Sequence, residues 1–204
     1  MENFQAIYNK HQNIYDKHAA RFDGERPKML IERKWLDRFI SFIDSHEYIL
    51  DIGCGAGEPV ARYFIDQGYR VTGLDFSKSM IDICKSRFPD HDWHIGDMID
   101  FDLGKKYKGI VAWHSFFHLP LDDQRRALEC FAKHLSANGV LMLTVGPENS
   151  EVLGNVCGEQ VYHASFNPEE YEEILSQYGI EILEFVPEDP DCFGSTILLA
   201  RKTS

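Results

Sequence analysis

Tyr48-Ile49-Leu50-Asp51-Ile52-Gly53-Cys54-Gly55-Ala56-Gly57-Glu58-Pro59 is the stretch on which the reading of this chain turns. An apolar run of strand length gives way to three glycines at alternate positions, and a helical pattern follows to about Gln67. Glycines in such a place let the backbone turn sharply and let a ligand approach it closely. The helix beyond offers free N–H groups at its start. Tight strand-to-helix turns also arise for purely structural reasons, so the context has to decide. The spacing is G-x-G-x-G, whereas a dinucleotide loop wants G-x-G-x-x-G. Glu58 stands at the sixth position, where its charge would repel a pyrophosphate. No G-K-[ST] follows, so a P-loop is absent. The loop is expected to cradle something other than a polyphosphate.

Outward from the loop, short apolar runs alternate with helical ones. Tyr69–Asp75 reads as a second strand, and Ser77–Phe88 as a helix with Ser77 as N-cap. His91–Ile95 is a weak third strand, and Gly109–His114 a fourth. Leu121–Leu135 is helical and ends at Asn138-Gly139; Val140–Val145 is a fully apolar fifth strand. Such alternation predicts βαβ units, a parallel sheet and helices on both faces. A strand as apolar as VLMLTV fits a sheet covered on both sides. Upstream, Phe4, Ile7, Tyr8, His11, Ile14, Tyr15 and His18 recur at helical spacing. Leu36, Phe39, Ile40 and Ile43 form a second stripe, in a helix that could begin near Pro27. After Gly146 the pattern changes. Asn167-Pro168-Glu169-Glu170 is a helix start, with an N-cap, a proline in the first turn and acids at the positive dipole end. Ile180–Val186 and Ser195–Ala200 read as two last strands. No linker separates independent domains.

The composition is that of an ordinary soluble protein, 44% hydrophobic and 26% charged over 204 residues. The formal net charge is −12, a poor match for a phosphate backbone, so nucleic acid and anionic membranes are not expected partners. Residues 151–204 carry two basic against eleven acidic groups. They form either a solvated face or an electrostatic bias towards neutral or cationic substrates. The five cysteines, Cys54, Cys84, Cys130, Cys157 and Cys192, show no C-x-x-C pair. A disulfide framework or structural zinc site is therefore not expected. The start lacks a signal-peptide pattern and the longest apolar run is too short to cross a bilayer, so a reduced, cytoplasmic protein is the expectation.

Two acids follow the loop in order. Asp75 ends the second strand, 22 positions after Gly53, where doubly wound folds place an acid on ribose hydroxyls. The alternative is a plain turn or cap residue. At a partly exposed strand end, its replacement is expected to leave folding nearly unaffected. Asp97-Met98 follows the third strand; an Asp there can accept from an amino group and a Met can lie on an aromatic face, though a turn role is equally open.

Asp51-Ile52-Gly53-Cys54-Gly55-Ala56-Gly57, then Gly73-Leu74-Asp75-Phe76-Ser77 with Met80, then Gly96-Asp97-Met98, resembles the class I S-adenosylmethionine-dependent methyltransferases of small-molecule type. The match spans roughly residues 15–146. It implies a Rossmann-like, doubly wound α/β sheet of seven strands whose last strand is antiparallel, with an N-terminal helical cap. The chain is then one methyltransferase domain: residues 1–45 the cap, 46–146 the cofactor-binding core, 147–204 a substrate-side loop, helix and hairpin. The implied cofactor is S-adenosylmethionine and its product S-adenosylhomocysteine. The loop with Asp51, Gly53, Cys54, Gly55 and Gly57 would lie against the methionine part. Asp75, beside Phe76 and Met80, would hold the ribose diol, and Asp97 and Met98 the adenine. Tyr15-Asp16 and Ala19-Ala20-Arg21-Phe22-Asp23 loosely resemble the segment that closes over the cofactor, which adds Tyr15 to the binding set.

Methyl transfer from a sulfonium is an in-line displacement, so positioning supplies much of the rate, and oxygen or nitrogen nucleophiles can also need a base. His114, closing the fourth strand, is the expected catalytic and cofactor-facing candidate; a structural histidine is as open a reading. Its pKa would lie near 6.5 if unperturbed. His163 is the second catalytic candidate, from an inserted loop, against the reading of a surface residue. His114 and His118 are four apart, but Ser115 stands where a zinc-protease motif has Glu, so no metal is expected. Cys54 reads as a small filler in the loop. Trp113, Phe116, Phe117, Tyr8, Tyr15 and Phe22 could form an aromatic pocket over the sulfonium or simply be core. The expected function is methyl transfer to a small-molecule acceptor, neutral or cationic. The alternatives are a non-catalytic S-adenosylmethionine sensor and, disfavoured by Glu58, a nicotinamide oxidoreductase.

Overall fold

The computed structural model describes residues 7–8, 11–26, 29–156 and 158–203, with the side chains of 11–13 and 156 left out. Phe4, Pro27, Cys157 and the His11 side chain, used in the sequence reading, lie outside the described residues. Seven strands form one sheet: β1 (Tyr48–Ile52), β2 (Arg70–Asp75), β3 (Asp92–Ile95), β4 (Tyr107–Ala112), β5 (Leu135–Val145), β8 (Ile180–Asp189) and β9 (Ser195–Lys202). Their order is β3-β2-β1-β4-β5-β9-β8. Neighbours are parallel except that β9 runs antiparallel to both β5 and β8. This is the seven-stranded sheet with an antiparallel last strand that the resemblance implied.

Alternate residues face opposite ways, and both faces are covered. Leu50, Ile52, Ile110, Leu141 and Leu143 pack under α5 (Leu121–His134) and α6 (Pro168–Ser176), which contribute Leu128, Phe131, Tyr171 and Leu175. Ile49, Val71, Val111, Val140 and Met142 pack under α2 (Arg33–Ile40), α3 (Val60–Asp66) and α4 (Lys78–Arg87), which contribute Leu36, Phe39, Phe64, Ile81 and Cys84. The caps read from sequence are present. Ser77 Oγ accepts from the Met80 N–H at the start of α4, and the Asn167 side chain from the Glu170 N–H at the start of α6.

Several boundaries and one element differ from the sequence reading, among them the starts of α2 at Arg33 and of β4 at Tyr107 and the end of β8 at Asp189. Helix α1 (His11–Glu25) continues past His18, because Ala19 and Phe22 pack on Met80 of α4. Helix α5 ends at His134 and β5 begins at once, so Asn138, at φ 57°, bends a strand rather than ending a helix. Strand β4 stops at Ala112, and His114 stands beyond it in the left-handed region at φ 52°. The segment after Gly146 contains an antiparallel hairpin, β6 (Ser150–Val156) and β7 (Glu159–Ser165), where the sequence reading had a loop.

Strand order reverses between β1 and β4, both central, with β2 on one side and β5 on the other. At such a switch point the connections leave in opposite directions and open a crevice at the carboxyl ends of the strands. Gly53 and Ser115 stand there.

Candidate active site

The crevice is a cavity of about 610 Å³, within the range that holds a cofactor-sized ligand. Gly53 shapes one wall. Its φ is +67°, and a Cβ there would lie 2.3 Å from Ser115 Cβ, so only glycine fits. Ser115 Oγ donates to the Ile52 carbonyl (2.8 Å) and the Gly53 N–H donates to the Leu74 carbonyl (2.7 Å), which ties the loop to β2 and to the turn after β4. At Gly55, also left-handed at +52°, a Cβ would meet nothing within 4 Å. Gly55 lines the cavity, so that open space is the cavity itself.

Asp75 is buried at the rim. One carboxylate oxygen accepts from the Gly55 N–H (2.9 Å) and the other from the Ser77 N–H (2.8 Å). Burial pushes its pKa up to about 6; the two N–H donors oppose the rise and the Asp16 carboxylate adds to it. Met80, Met98, Asp97, Phe76 and Tyr15 complete this half of the cavity. Tyr15 arrives from α1, and its ring meets Phe22 and Phe76 edge-on. The His118 Nδ1 lies 3.1 Å from the Tyr162 carbonyl, which can only accept, so the proton sits on Nδ1. Nε2 then accepts from the Tyr15 hydroxyl at 3.0 Å.

The other half holds His114, whose Nε2 lies 3.0 Å from Ser195 Oγ while its N–H donates to Thr144 Oγ1 (2.6 Å). Its ring is open to the cavity, yet the cavity walls surround it. Desolvation, with Arg26 as a second cause, lowers its pKa to about 4. The ring is therefore neutral at physiological pH, and the ordinary value near 6.5 does not apply.

Of the residues singled out from sequence, Tyr15, Gly53, Gly55, Asp75, Phe76, Met80, Asp97, Met98 and His114 come together on this cavity. Four do not reach its wall. Asp51 is buried beneath the loop, and burial pushes it to about 7, with Asp75 adding to the rise and Arg26 opposing it. Cys54 points away: its Sγ would lie 2.9 Å from a Cβ at Gly73. Gly57 faces Phe88 and Cys84. His163 sits on β7 with its ring over Gly154, 4.8 Å from the rings of Phe117 and His118. Trp113, Tyr8, Tyr15 and Phe22 line the cavity as the aromatic reading had it, whereas Phe116 is core and Phe117 packs with His163. His114 and His118 turn to different partners, and among the described residues no group of three metal-ligating side chains exists. Glu58 is also corrected. It is absent from the cavity wall and pairs with Arg62 (3.1 Å) and Arg87 (3.3 Å), so its charge is compensated rather than aimed at a ligand.

A match to known proteins fits this geometry. Residues 22–184 match a family described as a methyltransferase domain. The chain belongs to the class I S-adenosylmethionine-dependent methyltransferase family. The chain is 34% identical over 139 residues to the dTDP-4-amino-2,3,4,6-tetradeoxy-D-glucose N,N-dimethyltransferase of Saccharopolyspora spinosa, a match covering 67% of this chain and 53% of that protein. It is 31% identical over 159 residues to an 18S rRNA (guanine-N(7))-methyltransferase of Mus musculus, covering 69% and 55%. The chain thus spans about half or less of the length of the first curated relatives it matches. In fold, the chain superposes on S-adenosylmethionine-bound CalS10, an amino pentose methyltransferase from Micromonospora echinaspora, with a TM-score of 0.71, 20% identity and coverage of 92% and 96%.

The sequence reading missed Ser115, Glu25, Arg26, Met29, Ile31, Glu32, Leu119, Asn155 and Phe193, which also line the cavity. Ser115 had a signal, standing next to His114. The others come from the segment before α2, the connection from β4 to α5 (Leu119), the β6–β7 hairpin and the β8–β9 turn, where no motif marks them.

Proposed function

We propose that the chain transfers a methyl group from S-adenosylmethionine to a nitrogen atom of a small-molecule acceptor. The observation that carries this is the joining, in one cavity, of a side-chain-free wall at Gly53 and Gly55, a carboxylate at Asp75 and the histidine His114 on the opposite half. The cofactor suits this chemistry: the open space over Gly55 admits it, Asp75 can accept from a ribose diol, and Met98 can lie on an adenine face. When bound, it supplies an electrophilic methyl on a sulfonium. The chain's residues orient and enclose. Tyr15 and Phe22 close the cofactor half from α1, and neutral His114, its Nε2 beside Ser195, can hold an acceptor proton. Nitrogen is favoured by relatives named as N,N-dimethyltransferases, and the −12 charge favours a small acceptor over RNA. The reading takes residues 1–204 as a single working domain. The four described cysteines are unpaired and buried, which suits a cytoplasmic setting.

Calorimetry with S-adenosylhomocysteine, followed by transfer of a labelled methyl to a panel of small amines, tests this. Expected are binding and labelled N-methyl product. Binding without any transfer would favour a sensor, and absence of binding would overturn the proposal.

A further inference from the structure

Two large apolar side chains stand out for exposure: Met29 is 74% and Phe193 77% exposed, more than any other large hydrophobic among the described residues. Both line the catalytic cavity. Phe193 is held at φ +52°, the left-handed region that side chains with a Cβ seldom adopt, in the turn from β8 to β9. Such conformations gather at ligand clamps. Neither burial nor local backbone preference accounts for a phenylalanine there.

Glu32, three residues after Met29 and close enough to act on Cys192 beside Phe193, adds a buried acid. Glu32 is 3% exposed and lines the wall. As the residue before α2 it makes no side-chain capping bond. A carboxylate out of water calls for a positive partner. Its own backbone N–H and that of Ile31 donate to the carboxylate, and the charged neighbour that acts on it is Arg26, which acts also on Asp51 and His114 and so serves three groups.

From these observations we infer that Met29 and Phe193 grip the apolar face of a ring in the methyl acceptor while Glu32 receives the ammonium group that the ring carries and takes up one of its protons, leaving a neutral amine whose lone pair can attack the methyl. The occupant is thus an amine borne on a ring with an apolar face. The inference rests on the methyl-transfer reading above and names its acceptor class.

The test uses the whole chain saturated with S-adenosylhomocysteine, and three probes: benzylamine, benzyl alcohol and methylamine. The first keeps ring and charge, the second only the ring, the third only the charge. Benzylamine is expected to bind roughly tenfold tighter than either. Glu32→Gln, which keeps the shape and an acceptor, should erase the preference for amine over alcohol. Phe193→Ala should erase the preference for benzylamine over methylamine, and Met29→Ala should weaken it. Both sets should keep S-adenosylhomocysteine affinity within about twofold, a split that a merely structural role would not produce. Equal binding of benzylamine and benzyl alcohol to the wild type, or benzylamine binding untouched by Phe193→Ala, overturns the inference while leaving the cofactor reading standing. Failure of S-adenosylhomocysteine to bind overturns both.

Discussion

Asp75 both faces the cavity and anchors the loop, since its two carboxylate oxygens take the Gly55 and Ser77 N–H groups. The expectation that its loss would spare folding is therefore corrected. Asp75→Ala leaves two buried donors without partners, and denaturant unfolding should show a loss of about 1–3 kcal/mol together with abolished S-adenosylhomocysteine binding. Asp75→Asn keeps one acceptor but sets an NH2 against the other N–H, so it should lose part of that stability and bind weakly. The pH dependence separates the two roles. The pKa of Asp75, 3.8 in an unfolded chain, is raised to about 6, so the folded protein holds a proton there that the unfolded chain has lost. This favours folding on the acid side, and the advantage disappears as pH rises from about 4 through 6. Ribose hydroxyls donate to the ionised form, so cofactor affinity runs the other way. Calorimetry should show it weakening as pH falls through about 6, and the Asn variant should lack that limb. For His114 the lowered pKa of about 4 has the opposite sign. The unfolded chain takes up the proton first, so folding loses support as pH falls from 6.5 towards 4. Across pH 6 to 8 the methyl-transfer rate should show no limb from His114, whereas one centred near 6.5 would contradict the neutral ring. His114→Gln should lower turnover by a hundredfold or more if the ring takes a proton, and raise mainly the acceptor KM if it only positions.

Helix α1 is fastened to the cofactor half by polar contacts that the sequence did not advertise. Asp16 accepts from Ser77 Oγ (2.5 Å) and the Ser79 N–H (3.2 Å). Arg87 of α4 grips both oxygens of Asp23 (3.0 and 2.7 Å) and donates to the Ala56 carbonyl in the glycine loop (2.8 Å). Lys17 and His18 reach Glu159 at the start of β7 (3.2 and 3.4 Å). Arg87→Met keeps much of the stem but removes the fork. Limited proteolysis should then cut within residues 11–26, and S-adenosylhomocysteine affinity should fall roughly tenfold, as for loss of a charge-assisted pair; unchanged protection would show that apolar packing alone docks α1. What was legible in the sequence was what is local. A strand, a glycine turn and an acid at the next strand's end are written in consecutive residues, so Gly53, Asp75 and Met98 were found. The β6–β7 hairpin was not, because Glu151-Val152-Leu153-Gly154 lacks a clean alternation and its pairing is visible only in register, Gly154 against Val161. His163 was misjudged for that reason: the hairpin turns its ring onto Gly154. Glu32, Met29 and Phe193 lie far apart in the chain, and only tertiary structure gathers them.

Over the whole molecule, the acidic surplus and the cavity's acids have different origins. The cavity carries Glu25, Glu32, Asp75 and Asp97, none from residues 151–204. The surplus of the last quarter lies instead on α6, at exposed Glu169, Glu172 and Glu173, and on β8. The solvated-face reading thus describes it better than a bias at the cavity. Among the described residues no helix is long and apolar enough to cross a membrane. At a hundred times its Kd, S-adenosylhomocysteine should add about 2.7 kcal/mol to stability, a rise in Tm of about 5–10 °C for a chain of this size. NAD at the same concentration should leave Tm unchanged, and a shift with NAD would sink the assignment. Strand β8 sits at the end of the sheet, paired only with β9. Its backbone ladder is broken by register shifts at Ile182/Glu184 and Val186/Asp189, and its exposed positions include Glu181, Pro187 and Glu188. An open sheet margin invites a further strand from another molecule, and proline, charge and broken register each discourage that addition. The far margin, β3, is four residues long and begins at Asp92. Concentrated solutions of this protein should therefore resist fibril growth, since neither border offers a template on which copies could propagate.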